Sequence, residues 1–348
     1  MFSILRPYIF SLDPEAAHDL AIKSLKINFL PESFFSVKEE EILETNLFKK
    51  KVKNPIGLAA GFDKSAEVYN SLFKLGFGFV EVGTITPKRQ LGNPKPRIFR
   101  LEKDEALINR LGFNNHGSEI VAKRISENKP MGILGINIGP NHDTKNKSED
   151  FYICLSKLYS YGDYLTINIS SPNTEGLRNF HEENSLIKLL EGLNRLKKDK
   201  NIDKPLALKL SPDIDEKEMS NIIEIINKYN IDGIIISNTT NQNREKLSDS
   251  KKNEVGGLSG KPIKDISTNL IKKFHKELNQ NITIIGVGGV DSGKSAFEKI
   301  VAGASVIQLY TGMIYRGPGI AKEIKKELIS ILKNEKIRNI SEAVGINA

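Results

Sequence analysis

The chain has 348 residues, 39% of them hydrophobic and 27% charged, with a formal net charge of +8 and one cysteine, Cys154. That length admits one large barrel or two domains, and the composition is that of a soluble globular protein with ample material for a core. A lone cysteine excludes a disulfide framework and a cysteine metal cluster, and it fits a reducing compartment.

Lysine-rich runs such as Lys49-Lys50-Lys51 and Lys197-Lys198 spread the charge along the chain. They read as solvated surface, or as attraction to an anionic lipid or substrate. No basic stretch is interleaved with aromatics, so nucleic acid is not an expected partner. No run approaches the ~18–20 apolar residues that span a bilayer. Met1 to Phe10, interrupted by Arg6 and Pro7, is too short and broken for a signal peptide, so the amino terminus is expected to be retained.

In chain order, the first segment is unusually apolar for a terminus: Phe2, Ile4, Leu5, Tyr8, Ile9, Phe10 and Leu12. Asp13-Pro14-Glu15 is a helix start, with Asp as cap and Pro in the first turn. Ala16, Ala17, Leu20, Ala21, Ser24 and Leu25 then give one small or apolar side, and Phe29, Leu30, Phe34 and Phe35 follow. Two readings stay open: helices packed on the main domain, or an amphipathic pair that rests on a membrane and admits an apolar molecule. The expected division is a helical extension over 1–50 and a larger domain over 51–348.

Eight strand candidates follow: Pro55 to Ala60, Phe79 to Ile85, Ile133 to Ile138, Tyr164 to Ile169, Leu206 to Leu210, Gly233 to Ser237, Ile282 to Val287 and Ser305 to Tyr310. Helix-period segments lie between most of them, including Glu67 to Leu75, Asn184 to Lys197, Glu216 to Tyr229, Asp265 to Asn279 and Lys294 to Ala302. Asp215, and Ser292 or Asp291, are start signals. The alternation predicts an α/β fold, a closed (β/α)₈ TIM barrel with an N-terminal helical extension. An open doubly wound sheet would gather functional residues at one switch point. Here they follow nearly every strand. The long insertion from Thr86 to Met131 is expected to build part of the site.

Gly286-Val287-Gly288-Gly289 and Tyr310-Thr311-Gly312, after the seventh and eighth strands, predict a phosphate pocket, with Gly256-Gly257-Leu258-Ser259-Gly260 nearby. After the first strand stands Ala59-Ala60-Gly61-Phe62-Asp63-Lys64, small enough for a flat ring to lie on the backbone, with a cation beside it. Lys209 sits in an otherwise apolar strand and calls for an anionic or electron-rich partner, either an internal carboxylate or a ligand. Asn109 to Asn115, Asn137, the run Tyr164 to Thr174 with Asn168, Ser171 and Asn173, and Ser237 to Thr240 suit a ligand with many N–H and C=O groups, such as a pyrimidine. His116, His142, His181 and His275 show no ligand spacing, so no catalytic metal is expected.

Across essentially the whole chain these residues resemble the dihydroorotate dehydrogenases, specifically the class 2, quinone-reducing branch. The resemblance implies oxidation of (S)-dihydroorotate to orotate with one FMN per chain and a membrane quinone as electron acceptor. Implied FMN contacts after the early strands are Ala60, Gly61, Lys64, Thr84, Asn137 and Asn168. Those after the later strands are Lys209, Ser237, Gly260, Gly288, Gly289, Tyr310 and Thr311. Implied contacts to dihydroorotate or orotate are Lys64, Asn109, Arg110, Leu111, Gly112 and Phe113, together with Asn168, Asn173, Asn238 and Thr239.

Ser171 matches the catalytic base, and Thr174 with a water near Phe113 the proton exit. His18, Arg100 and Tyr310 match polar residues at the flavin end of a quinone tunnel, although a structural role for a helix histidine such as His18 stays open. The extension and the match of Arg6, Leu12 to Glu15 and His18 point to class 2. Class 1 members lack the extension and place Cys where Ser171 stands. The pattern departs at Glu175, where Pro is expected, and at Ser237, where Thr is common; neither removes a needed functional group. The class implies a monomer, peripheral on the cytoplasmic face of the bacterial inner membrane.

Overall fold

The computed structural model describes residues 2–27, 39–229 and 231–348. Phe29, Leu30, Phe34 and Phe35, expected to extend the apolar amino-terminal segment, lie outside the described residues. Two helices open the chain, α1 (Phe2–Ser11) and α2 (Pro14–Ile27). Asp13 caps the second as expected, its Oδ1 accepting the N–H groups of Glu15 and Ala16 at 2.9 and 3.0 Å.

The strands are β1 (Thr45–Leu47), β2 (Lys50–Val52), β3 (Ile56–Leu58), β4 (Phe79–Ile85), β5 (Ile98–Leu101), β6 (Ala106–Asn109), β7 (Ile133–Ile138), β8 (Tyr164–Asn168), β9 (Leu206–Leu210), β10 (Gly233–Ile236), β11 (Gly257–Gly260), β12 (Thr283–Val287) and β13 (Val306–Leu309). Strands β3, β4, β7, β8, β9, β10, β12 and β13 close in that order into a parallel barrel, the closed alternative of the two expected topologies. All eight fall within the expected segments, and the helix over Glu216–Lys228 begins with a full capping box from Asp215 and Glu218.

Strand periodicity stacks the barrel interior in layers. Phe79, Tyr164, Ala207, Ile235, Ile285 and Val306 form an apolar floor. The two-residue hairpin turn Phe48-Lys49, both at positive φ, presses Phe48 against Tyr164 with ring centroids 5.0 Å apart. Leu47 and Val52 join the same cluster. The hairpin β1–β2 is therefore the barrel's plug, and the expected division at residue 50 passes through it. Two residues further along the strands the interior becomes polar, with Glu81, Asn137, Thr166 and Gln308 wholly buried. The outward residues of the same strands, such as Val80, Leu165, Leu208 and Ile307, pack under the surrounding helices.

A second sheet was not anticipated. β5, β6 and β11 pair antiparallel, β6 in the middle, and draw on both the long insertion and the segment after β10. This sheet covers the mouth of the barrel and carries the amino-terminal helices on its other side. Arg97 grips Glu15 of α2 with Nε–Oε2 and Nη2–Oε1 distances of 3.1 and 2.6 Å. Burial alone would raise the Glu15 carboxyl, but Arg97 and Lys95 outweigh it and hold the group below its ordinary value. Arg100 donates to the carbonyls of Phe10 and Leu12 at 2.8 and 3.0 Å and lies over the Phe10 ring. Two buried guanidinium groups thus fasten the extension at the turn between its helices.

Candidate active site

At the C-terminal end of the barrel strands lies a cavity of about 1140 Å³, including its open mouth. One wall is backbone. Ala59, Ala60 and Gly61 line it, and Gly61 is at φ +111° with nothing within 4 Å of where a Cβ would stand, so the space beside it is open. One end is built from Gly260, Gly288, Gly289, Thr311 and Gly312. A Cβ at Gly289 would lie 2.6 Å from the Cα of Lys264, at the start of the helix Lys264–Glu277, so only glycine lets loop and helix start close on each other there. Exposed backbone and a helix start form the kind of end that receives a phosphate.

The polar wall is held from below. Glu81 is fully buried, and its Oε2 accepts from Tyr164, Thr166 and Gln308 at 2.9, 3.2 and 3.0 Å. Its Oε1 accepts from Asn137 Nδ2 at 2.8 Å. Asn137 Oδ1 then accepts from Thr84 Oγ1 (2.6 Å) and Asn168 Nδ2 (3.2 Å). Asn168 Oδ1 in turn takes Asn238 Nδ2 at 3.3 Å. The carboxylate thus fixes, through one amide, which faces of the next two amides point into the cavity. Lys209 pairs in register with Asn168. Its ammonium is pushed down by burial, with Glu81 opposing, and it forms no ion pair with any described residue. Of its two expected partners, the internal carboxylate acts at a distance and the cavity side remains for a ligand.

Ser171 stands in the loop after β8, 5% exposed, lining the cavity. Its Oγ accepts the backbone N–H of Asn173 at 3.3 Å, and Asn173 Nδ2 donates to Asn109 O at 3.1 Å. Behind it Arg178 binds Asp213 (3.0 Å), Thr239 O (3.3 Å) and Ser170 O (3.4 Å), and Asp213 also takes the Thr240 hydroxyl. That ion pair ties together the loops after β8, β9 and β10, which carry Ser171, Asn238 and Thr239. Neither Arg178 nor Asp213 was singled out from the sequence.

Most expected residues meet here. Ala60, Gly61, Lys64, Thr84, Asn109, Leu111, Gly112 and Phe113 line the cavity from the first half of the barrel. Asn168, Ser171, Asn173, Lys209, Ser237, Asn238, Thr239, Gly260, Gly288, Gly289, Tyr310 and Thr311 line it from the second. Three stand apart. Asn137 lies one layer beneath. Arg110 turns away to Glu254 (2.9 Å) and lies over the Phe99 ring. Thr174 is buried without reaching the cavity wall. Cys154 sits on the helix Lys147–Leu158, its thiol pushed up by burial and directed at Ile85 O.

A second cavity, about 1330 Å³ with its opening, lies between the amino-terminal helices and the covering sheet. Its lining is mostly apolar, with His18, Ser24, Arg100 and Tyr310 as the polar members. Tyr310, Ile98 and Leu107 line both cavities and form the partition. One polar contact crosses it: Lys64 Nζ is 3.0 Å from His18 Nε2. Burial, opposed by Glu15, Asp19 and Asp63, pushes Lys64 down to about 8. Burial first and the Lys64 charge second hold His18 at about 3, so the imidazole is neutral and accepts from the ammonium. Away from that lining, Ile4 and Tyr8 are 72% and 73% exposed, with Leu12 and Ile27 exposed as well, while Leu5 and Leu20 are half-exposed at the cavity's edge. No helix among the described residues is long and apolar enough to cross a membrane.

The family model described as dihydroorotate dehydrogenase matches residues 42–332. A Bartonella tribocorum protein named dihydroorotate dehydrogenase (quinone) is 45% identical over 342 residues, 97% of this chain and 94% of its own. A Bartonella henselae protein of the same name is 46% identical over 339 residues, 96% of this chain and 93% of its own. A crystal structure of DHODH from Eimeria tenella in complex with ferulenol superposes with a TM-score of 0.91 at 39% identity, covering 96% of each chain.

Proposed function

The chain belongs to the dihydroorotate dehydrogenase family, and we propose that it is a quinone-dependent member, oxidising (S)-dihydroorotate to orotate in pyrimidine biosynthesis. The observation that carries this reading is Ser171 in one cavity with the amides of Asn109, Asn168, Asn173 and Asn238, beside a backbone wall that suits a flat cofactor. The residues fit FMN: open space beside Gly61 for the ring, Lys209 for the electron-rich pyrimidine edge, and Gly260, Gly288 and Gly289 with Thr311 for the phosphate. FMN, when bound, supplies the acceptor for a hydride.

The chain's own residues do the rest. Ser171 Oγ removes the proton from C5 of the substrate, as the hydride leaves the neighbouring C6. A serine hydroxyl is a weak base, so its contribution depends on position, which the Asn173 N–H and the Arg178–Asp213 clamp fix. The amides pair with the ring N–H and C=O groups and reject analogues that lack them. Lys64 offers its charge to the substrate carboxylate. Thr174 is the proposed proton exit, reached from Ser171 through a water.

The second cavity supports the quinone assignment. It is largely apolar, meets the first at Tyr310, and lies beneath helices that expose Ile4, Tyr8 and Ile27. That arrangement supports the extension as the membrane-resting unit, with His18, Arg100 and Tyr310 at the inner end of the quinone site. The reading extends to peripheral attachment at the cytoplasmic face of a bacterial inner membrane. The reading takes the enzyme as a monomer, the state that its class implies.

The purified protein should be yellow and should bleach when (S)-dihydroorotate is added without oxygen, then recover its colour on addition of a quinone. A flavin that stays oxidised under dihydroorotate refutes the reading. Because Lys64 loses its proton near pH 8, orotate should bind most tightly below that pH and weaken as pH rises through it. A charged hydrogen bond of about 1.5–3 kcal/mol makes Lys64→Gln roughly ten- to a hundredfold weaker for orotate. That variant should also lose the pH dependence, and titration of the flavin absorbance with orotate reads both effects.

A further inference from the structure

We propose that Lys299, outside the cavity, is the positioning residue of its phosphate end: it holds the first turn of the helix Lys264–Glu277 against Val287 to Gly289 and sets a positive charge behind them. The inference rests on the flavin reading above and deepens it.

Lys299 is fully buried on the helix Gly293–Val301. Its Nζ donates to Lys264 O, Ser267 Oγ and Thr268 Oγ1 at 3.3, 3.1 and 3.0 Å, all within the first five residues of that helix. Ser267 Oγ passes the linkage on by donating to Val287 O. A Cβ at Gly288 would lie 3.1 Å from Ser267 Cβ. The ammonium, the helix turn and the glycine pair are therefore successive layers, the last of which lines the cavity.

The charge of Lys299 is not neutralised by contact. Its three acceptors are uncharged, and the adjacent Glu298 is committed to Lys264 at 2.9 Å. Lys325 is almost as deeply buried and makes the contrast, since it pairs with Glu39 at 3.2 Å. A buried cation without a contacting anion is costly unless an anion arrives, and a dianionic phosphate against the glycines is such an anion. Burial first, then the charge of Lys264, pushes Lys299 down to about 7, with Glu298 and Asp265 opposing. Without phosphate the group therefore loses its proton more readily than an ordinary lysine, and phosphate binding draws a proton onto it. Affinity for a phosphorylated flavin is then highest below about pH 7 and falls as pH rises through it.

The full-length protein, stripped of flavin, is titrated with FMN and with riboflavin, which has the same ring and no phosphate. Flavin fluorescence quenching is read between pH 7 and 8.5, above the second ionisation of a phosphate monoester at about 6. FMN binding should weaken on the order of tenfold across that span. Riboflavin should weaken less, because only the cavity lysines act on it. In Lys299→Met the preference for FMN over riboflavin should shrink and lose its pH dependence, with riboflavin affinity kept. An unchanged preference in that variant overturns the inference.

If the variant does not fold, the wild-type protein decides. Calorimetry between pH 7 and 8 in buffers of different ionisation heat should show net proton uptake with FMN beyond any taken up with riboflavin. Equal uptake with both flavins overturns the role of Lys299, whereas failure of both flavins to bind overturns the flavin reading itself.

Discussion

Replacing Ser171 by alanine should leave a yellow protein that binds orotate but is reduced by dihydroorotate about 10²–10⁴-fold more slowly, the range a positioned proton acceptor contributes. The change removes one oxygen and little else. Ser171 Oγ accepts a single backbone N–H, at 3.3 Å, so its loss costs about 0.5–1.5 kcal/mol of stability at most. The neighbouring amides keep their own bonds to Asn109 O, Thr84 and Asn137, so product affinity should change by no more than a few-fold. Ser171→Cys separates the base from the space it fills. A thiol with an ordinary value near 8.5 should restore part of the rate, increasingly as pH rises and thiolate forms. Rapid mixing under anaerobic conditions reads both variants. A wild-type rate of flavin bleaching in Ser171→Ala would remove the serine from the reaction.

The eight barrel strands were legible because each is bounded by glycine, asparagine, serine or proline and most are flanked by helix-period segments, so local and global signals agree. The covering sheet was not. β5, β6 and β11 are four residues each, and β11 comes from about 150 positions beyond the others. Nothing local separates such strands from loop. The plug hairpin was hidden similarly, since its three-residue strands carry Lys50 and Lys51, which read as surface charge.

Glu81 was a different kind of omission. Phe79-Val80-Glu81-Val82 shows the same signal as Leu208-Lys209-Leu210, a charge on the inward phase of an apolar strand. Reading both together would have predicted opposite charges inside one barrel. Arg110 shows the reverse limit. It neighbours Asn109 in sequence, but the chain leaves β6 there and the guanidinium goes to Glu254 and the Phe99 ring. Spacing alone does not give that direction.

The second large effect expected is a split between the two half-reactions when the apolar cavity is filled. Ala17 on α2 lines that cavity and not the one holding Ser171. Ala17→Trp should leave bleaching by dihydroorotate within about twofold of the wild type, because Tyr310, Ile98 and Leu107 stand between the two spaces. Reoxidation by a quinone should fall by roughly tenfold, about 1.4 kcal/mol, since an indole occupies volume the quinone ring would need beside α2. The extension should stay docked, as Arg97 still grips Glu15 and Arg100 the Phe10 and Leu12 carbonyls. Disruption of that docking is excluded by pairing the variant with Glu15→Gln, which weakens a buried ion pair and should loosen the helices to proteases without adding bulk. Stopped-flow measurement of each half-reaction distinguishes the cases: loss of quinone turnover alone supports entry beneath α1 and α2. Unchanged quinone turnover in Ala17→Trp would mean that electrons leave the flavin by another face of the barrel.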